Sequence, residues 1–168
     1  LLYHTIAFKD KEKVKKMKHL EIEMKTLLNK DEYQRLQDHF SGVTPITQKN
    51  YYLDTPDFYL RQHKIAMRIR TFENSAELTI KIPQKVGNME YNQDLSLEEA
   101  NHYLKECKLP QGMILDELTS RGLSTSGWVV LGCLTTVRYE KQTPIGLMAL
   151  DQSQYFDIVD YELELEVE

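Results

Sequence analysis

Charged side chains of both signs occupy every second position in several stretches of this sequence. In residues 21–25, EIEMK, the charges of Glu21, Glu23 and Lys25 alternate with two apolar side chains. Successive side chains of a β-strand point to opposite faces, so these three charges would share one face. One stripe of this kind usually marks only a solvated surface, and its interpretation therefore depends on the other stretches.

The same alternation recurs in later segments, where cations and acids again share a face. These residues are Arg68 and Arg70, Glu77 and Lys81, Arg138 and Glu140, Asp151, and the row of Glu162, Glu164 and Glu166. Like charges this close repel unless groups of opposite charge lie between them. Carboxylate oxygens bind hard divalent cations, whereas Arg and Lys bind phosphate oxygens. Both signs in one cavity therefore indicate a site for a metal–polyphosphate complex.

The secondary-structure elements that must position these charges are mostly strands. Alternation and β-rich composition predict strands near residues 19–27, 47–54, 65–73, 76–83, 89–96, 128–140, 144–151 and 160–167. Helices are predicted over 30–40 with Asp31 as the N-terminal cap, after Thr55-Pro56, after Ser96 and over 113–121. Eight strands are enough to close a barrel.

The fifth predicted strand carries the weakest pattern. Its polar residues Glu90, Asn92 and Asp94 stand opposite a poor apolar face. Glu77, Glu90 and Glu140 therefore remain open between a role in the site and an ordinary exposed or paired charge.

Composition excludes several classes of protein. The chain has 168 residues, of which 41% are hydrophobic, and this suits one compact domain. Its net charge of −5 provides no broad basic field for nucleic acid or an anionic membrane. No apolar run approaches the roughly 18 residues of a membrane span. Cys107 and Cys133 are too few for a disulfide framework, which predicts a reduced, cytoplasmic setting.

The N-terminal stretch differs in character from the remainder. Residues 1–18 include six Lys between positions 9 and 18 and are predicted to be a basic extension or flank, with the domain over 19–168. The five His form no catalytic constellation. The motifs of a serine hydrolase and of a P-loop are both missing from the sequence.

With these residues in view, the sequence resembles the CYTH superfamily, the triphosphate tunnel metalloenzymes. EIEMK matches the ExExK signature of that family, and later segments follow in the family's order: YYLDTPDFYL, IAMRIR, ELTIKIP, VRYEK, ALD and YELELEVE. The resemblance runs from about His19 to Glu168 and is nearest to small CYTH proteins of Gram-positive type. The family includes thiamine triphosphatases, inorganic triphosphatases, class IV adenylate cyclases and RNA triphosphatases.

The resemblance implies an α+β fold, an eight-stranded antiparallel β-barrel whose polar interior forms a tunnel and whose outside is covered by helices. It also implies a cofactor, Mg²⁺ or Mn²⁺, a small-molecule triphosphate as substrate, and the homodimer that family members often form. The implied metal ligands are Glu21, Glu23, Asp151, Glu162 and Glu164. The implied triphosphate ligands are Lys25, Arg68, Arg70, Lys81 and Arg138. Catalysis would fall to Glu21, Glu23, Lys25, Glu162 and Glu164, whereas Glu166 would lie nearer the tunnel mouth.

Four functions remain open at this point. The expected reaction is metal-dependent hydrolysis of a triphosphate with release of orthophosphate. A cyclase would use the same charges together with a pocket for a base, and a binding module would hold a polyphosphate or nucleotide without turnover. A solvated stripe would bind no ligand. Tripolyphosphate, thiamine triphosphate and nucleoside triphosphates share three phosphates, so their discrimination would depend on loops such as 84–89 and 141–144.

Overall fold

The computed structural model describes residues 17–167, and this part of the chain forms eight strands and four α-helices. The strands are β1 Lys18–Leu28, β2 Ile46–Asp54, β3 Ala66–Thr71, β4 Ala76–Pro83, β5 Asn88–Leu95, β6 Val129–Thr143, β7 Gly146–Tyr155 and β8 Ile158–Val167. The helices are α1 Lys30–Gln37, followed by the 3-10 turn Asp38–Phe40, then α2 Tyr59–Gln62, α3 Leu97–Glu106 and α4 Met113–Ser120. The predicted extension over 1–18 lies mostly outside the described residues, although its last residue, Lys18, begins β1.

The strands close into one barrel in the order β1-β5-β4-β3-β2-β6-β7-β8. All eight neighbouring pairs are antiparallel. The register of β2 against β6 shifts between Tyr52 and Leu53, so Leu131 is an extra residue on β6. The predicted fold class, an α+β protein with an antiparallel eight-stranded barrel and helices outside, is confirmed.

The hydrophobic core lies outside the barrel wall, between the strands and the helices. The larger cluster joins the outer face of β2–β5 to α2, α3 and α4: Leu53, Leu60, Ile65, Met67, Ile69, Ala76, Leu78, Ile80, Ile82, Tyr91, Leu95, Ala100, Ile114, Leu118 and Trp128. A smaller cluster packs α1 and the turn after it against the outer face of β7, through Tyr33, Phe40 and Leu150. Because apolar residues face outward, the alternating charges face the interior.

Two helix predictions need correction at their N-termini. The cap of α1 is Asn29, not Asp31: the Asn29 side chain accepts a hydrogen bond from Glu32 N–H, and the Glu32 carboxylate accepts one from Asn29 N–H. Pro56 lies in a turn, and α2 begins at Tyr59. The Ser96 cap of α3 and the helix at 113–120 are as predicted.

Strand ends also differ from the prediction, because two hairpins have turns of only two residues. Pro144 and Ile145 form the turn between β6 and β7, so a strand cannot begin at 144. Phe156 and Asp157 form the turn between β7 and β8. Strand β7 therefore continues past the predicted end at 151, and β8 begins before the predicted start at 160. Phe156 adopts a φ of 52° without the Gly or Asn that marks such turns in a sequence.

None of the helices in the described part of the chain has the length and apolar character needed to cross a bilayer.

Gly87 ties the β4–β5 hairpin to the first charged strand. It has a φ of 69°, and a Cβ at this position would collide with the backbone oxygen of Glu21. We expect Gly87→Ala to lower the free energy of unfolding by more than about 2 kcal/mol, since a left-handed backbone and a backbone collision both oppose a side chain. Gly42→Ala is the matched control, because Gly42 has a φ of 80° with open space around it, and it should cost only about 1 kcal/mol. The free energies of unfolding are measured in urea, and equal losses for Gly87→Ala and Gly42→Ala would contradict the packing of Gly87 on Glu21.

Candidate active site inside the barrel

The barrel interior is lined by buried polar and charged side chains. Those that are nearly inaccessible to solvent are Glu21, Gln48, Asn50, Arg70, Glu77, Thr79, Glu90, Asn92, Thr136, Asp151, Ser153 and Glu164. They come from all eight strands, on the face opposite the hydrophobic clusters. Buried charge is costly unless it is paired, so their pairing shows how the interior is organised.

Three carboxylates converge where β1 lies beside β8. Glu21, Glu23 and Glu164 each offer an oxygen, and these atoms all lie within 4.8 Å of one another. The β1–β8 register brings them together by pairing Lys25 with Glu164. Three carboxylate oxygens at this separation suit a hard divalent cation such as Mg²⁺ or Mn²⁺.

Two lysines balance this acidic group. The Nζ of Lys81 lies 2.5 Å from Glu21, 3.1 Å from Glu23 and 3.4 Å from Glu90. The Nζ of Lys25 lies 2.6 Å from Glu23 and 3.4 Å from Glu164. A phosphate group that bound next to these carboxylates would therefore also lie beside both ammonium groups.

Arg138 on β6 joins the acidic group to Asp151 on the neighbouring strand β7. Its Nε and Nη2 donate to Asp151 at 2.8 and 2.7 Å, and Nη2 also donates to Glu164 at 3.0 Å. Burial works to lower the pKa of Arg138, but its bonds to Asp151 and the charge of Glu164 outweigh burial and raise it. Burial likewise works to raise the pKa of Glu164, yet the charges of Arg138, Lys25 and Lys81 lower it. Arg138 and Glu164 therefore both stay ionised at neutral pH.

Arg70 is the most confined cation of the interior. Its Nε donates to Asn50 Oδ1 at 2.7 Å, and its Nη1 lies 3.8 Å from Glu77. Burial lowers the pKa of Arg70 to about 10, and the charges of Arg68 and Arg138 act in the same direction. An anion among the three guanidinium groups would relieve this repulsion.

Arg68 has bonding capacity that the rest of the described chain leaves unused. Its Nε is buried and has no hydrogen-bond partner among the described residues. It lines a small interior cavity with Tyr52, Thr79 and Lys81. A buried donor of this kind is costly unless a ligand or water satisfies it, and a phosphate oxygen is a suitable acceptor.

The structure brings most of the predicted site residues together but separates two of them from the carboxylate group. Asp151 is the bidentate partner of Arg138. Glu162 lies opposite Leu27 and Asp151 in the register, farther along β8 than Glu164. The geometry therefore gives Asp151 a role in holding Arg138, while Glu21, Glu23 and Glu164 form the group that could bind a metal.

Sequence reasoning gave no role to the polar residues that hold the charged ones. Asn50 holds Arg70, and Asn92 links Thr79 to Glu90 through hydrogen bonds of 2.7 Å on each side. Glu77 and Glu90, which the sequence left open, are buried in the interior, whereas Glu140 is exposed. The alternation of Gln48 and Asn50 with larger side chains was the available signal on β2.

Comparison with known proteins agrees with this architecture. The CYTH domain matches residues 19–168. YjbK of Bacillus subtilis strain 168, whose name proposes a triphosphatase, is 37% identical over 149 residues, which cover 88% of this chain and 77% of YjbK. A Bacillus halodurans crystal structure, whose name proposes an adenylate cyclase, is 37% identical with a TM-score of 0.84, over 90% of this chain and 82% of that one.

A plant protein shares the fold at lower identity. HpAC1 from Hippeastrum, named for a proposed adenylyl cyclase with a dominant triphosphatase activity, has a TM-score of 0.73 at 23% identity, over 88% of this chain and 79% of that one. At this identity the likeness concerns the fold alone. The domain match spans all but the first 18 residues. The chain belongs to the CYTH domain family.

Proposed function

We propose that this protein hydrolyses a triphosphate inside the barrel in a metal-dependent reaction that releases orthophosphate. The observation that carries the proposal is the arrangement of the interior, where a group of three carboxylates lies among five cationic side chains. These cations are Lys25, Arg68, Arg70, Lys81 and Arg138. The triphosphatase name of YjbK, 37% identical, supports the same reaction.

Glu21, Glu23 and Glu164 are the residues that would hold the metal. Their oxygens are hard ligands, and their mutual distances of at most 4.8 Å suit one divalent ion. When bound, Mg²⁺ or Mn²⁺ would supply positive charge to the phosphate oxygens that develop negative charge in the transition state.

The cations of the interior would bind and orient the phosphates. Arg68 offers its buried Nε, and Asn50 holds the guanidinium of Arg70 in place by a 2.7 Å hydrogen bond. Asp151 on β7 holds Arg138 on β6 in the same way. Donors that are already oriented need little reorganisation as charge develops on the phosphates, which is the main source of catalysis in such sites.

The chemical step is an in-line displacement at the terminal phosphorus. Water forms the new P–O bond, the bond to the bridging oxygen breaks, and the water proton passes to a carboxylate of the site. Lys25 and Lys81 lie beside these carboxylates and would neutralise charge on the departing diphosphate group. The products are orthophosphate and the diphosphate.

A cyclase is the second candidate, because the Bacillus halodurans relative is 37% identical and its name proposes an adenylate cyclase. It would use the same interior cations but would yield cyclic AMP and pyrophosphate from ATP. The two reactions therefore differ in their products, and a binding module would yield neither.

Phosphate release tests the proposal directly. The purified protein is incubated with tripolyphosphate, thiamine triphosphate or ATP, each with Mg²⁺, Mn²⁺ or excess EDTA. We expect orthophosphate from at least one substrate with metal and a loss of at least about 100-fold in EDTA. Pyrophosphate and cyclic AMP from ATP would favour the cyclase. No product from any substrate, with the protein folded, would overturn both enzymatic functions.

A further inference from the structure

Lys81 lies among three carboxylates of the interior. Its Nζ is 2.5 Å from Glu21, 3.1 Å from Glu23 and 3.4 Å from Glu90. An ammonium group has three donors, so these three partners can occupy all of them. In this arrangement Lys81 keeps no donor for a phosphate oxygen, although it is one of the cations proposed to bind phosphate.

Two of these three carboxylates are also those proposed to hold the metal. Glu21 and Glu23 belong to the converging group, whereas Glu90 stands outside that group among the described residues. The Oε2 of Glu23 accepts a hydrogen bond from Lys81, and its Oε1 lies 2.6 Å from Lys25. A divalent cation and the two ammonium groups therefore compete for the same oxygens, because like charges at these distances repel.

The two lysines differ in where their charge can go once a metal takes these oxygens. The side chain of Lys25 is 46% exposed, so its ammonium group can turn into water. The side chain of Lys81 is only 18% exposed, and a charge so enclosed is costly without a partner. Lys81 therefore needs a carboxylate that the metal does not take.

Glu90 is such a carboxylate, and its neighbours hold it in place. It lies opposite Lys81 in the register of β4 with β5. The Nδ2 of Asn92 donates to Glu90 Oε1 at 2.7 Å, and the Oδ1 of Asn92 accepts from Thr79 Oγ1 at 2.7 Å. The Oε2 of Glu90 is the atom nearest Lys81. The bonds through Asn92 thus fix Glu90 beside Lys81 independently of the metal group.

A small cavity lies beside Lys81 on the phosphate-binding side. Lys81 lines this cavity of about 20 Å³ together with Tyr52 and Arg68. The Nε of Arg68 is buried and has no partner among the described residues. A cavity of this size holds about one polar atom, such as a water or a phosphate oxygen. Donors that Lys81 withdraws from the metal group would therefore be available next to Arg68.

We propose that Lys81 is a displaceable counter-ion of the metal site and that Glu90 is the positioning residue that retains it. When Glu21 and Glu23 bind a divalent cation, Lys81 keeps its contact with Glu90, and its other two donors become available to the phosphates. This inference rests on the proposed function, because it takes the metal to lie at Glu21 and Glu23. Binding of the metal would thus prepare the interior for the phosphates.

Metal affinity in the absence of substrate tests the roles of Lys81 and Glu90. The Kd for Mn²⁺ is measured by titration calorimetry for the wild type, Lys81→Met, Glu90→Gln and the double variant. We expect Lys81→Met to lower the Kd about 10-fold, because it removes the competing charge, and Glu90→Gln to raise it about 10-fold. In the Lys81→Met background, Glu90→Gln should change the Kd by about 2-fold or less, since no ammonium group is left to retain.

A matched control separates this role from a simple loss of negative charge. Glu77→Gln removes another buried carboxylate, which is paired with Arg70 and lies four residues before Lys81 on β4. It should change the Kd for Mn²⁺ by the same factor with and without Lys81. If Glu90→Gln also does so, Glu90 acts only through its charge and the inference is overturned.

A second measurement on the wild type covers the case in which Lys81→Met does not fold. The Nζ signal of Lys81, assigned through Lys81→Arg, is followed by NMR during a titration with Mg²⁺. We expect the signal to shift as Mg²⁺ binds, and a signal that binding leaves unchanged would overturn the inference while the metal site stands. Failure of the folded wild type to bind Mn²⁺ would overturn the metal site of the proposed function and the inference with it.

Discussion

Glu23→Gln is expected to lower kcat/KM for triphosphate hydrolysis by about 100-fold or more, because it removes an anionic oxygen from the carboxylate group. The Glu23 carboxylate lies 2.6 Å from Lys25 and 3.1 Å from Lys81, so the change also leaves two ammonium groups with less opposing charge. Both effects disfavour a divalent cation at this position. The measurement is the initial rate of orthophosphate release over a range of Mg²⁺ and Mn²⁺ concentrations.

Glu98→Gln is the matched control, since Glu98 is an exposed acid in the first turn of α3, outside the barrel. It should retain wild-type kinetics. Partial recovery of Glu23→Gln at high metal concentration would indicate that Glu23 acts mainly on metal affinity. Wild-type activity of Glu23→Gln at every metal concentration would exclude Glu23 from the site.

Arg138→Met is expected to lower the free energy of unfolding by about 3–5 kcal/mol, because it leaves two buried carboxylates without their main cation. Asp151 and Glu164 both lie within hydrogen-bond distance of its guanidinium. Met keeps the apolar stem of Arg but lacks the guanidinium, so the loss contains the cost of two unpaired carboxylates together with the space that the guanidinium leaves. Urea unfolding at pH 7 in EDTA gives the value without any contribution from bound metal.

A second substitution tests this explanation. The double variant Arg138→Met with Asp151→Asn also removes one of the two buried negative charges, so it should recover part of the lost free energy of unfolding. If the two residues did not interact, the losses of the two single variants would simply add. Asp151→Asn alone should be destabilising, since it leaves Arg138 with a neutral partner in place of a bidentate one. A double variant as unstable as the sum of the single ones would contradict the coupling of these residues.

The pH dependence of stability follows from the same group. The pKa of Glu164 is lowered in the folded protein because, although burial opposes ionisation, Arg138, Lys25 and Lys81 favour it more strongly. A carboxylate with a lowered pKa adds stability that is fully present above its unfolded value of about 4.3 and is lost as the pH falls through the folded value. Among the three cations, Arg138 has the largest effect on the pKa of Glu164. Arg138→Met should therefore reduce the amount of stability that is lost at acid pH.

Much of the fold could be predicted because the alternation of residues in a strand is a local property. Glu21, Glu23 and Lys25 share a face in any extended strand, and the same holds for Arg68 with Arg70. Apolar residues on the opposite faces then require cover from the helices. The pattern thus separates a charged face from an apolar one, and the family resemblance, not the pattern, implied that the charged face is the barrel interior. The Ser96 cap of α3 is equally local.

The composition of the site depended on the tertiary structure, because the register between strands decides which rows meet. A shift of two residues on β8 would keep Glu164 in the interior yet pair another residue with Lys25. The sequence could not distinguish Asp151 from Glu164 as a metal ligand, since both lie in the interior. In the structure Asp151 forms a bidentate contact with Arg138, and the group of converging carboxylates consists of Glu21, Glu23 and Glu164. The buried Nε of Arg68, which has no partner among the described residues, likewise arises from closure of the barrel, because closure brings residues distant in the chain into one enclosed space.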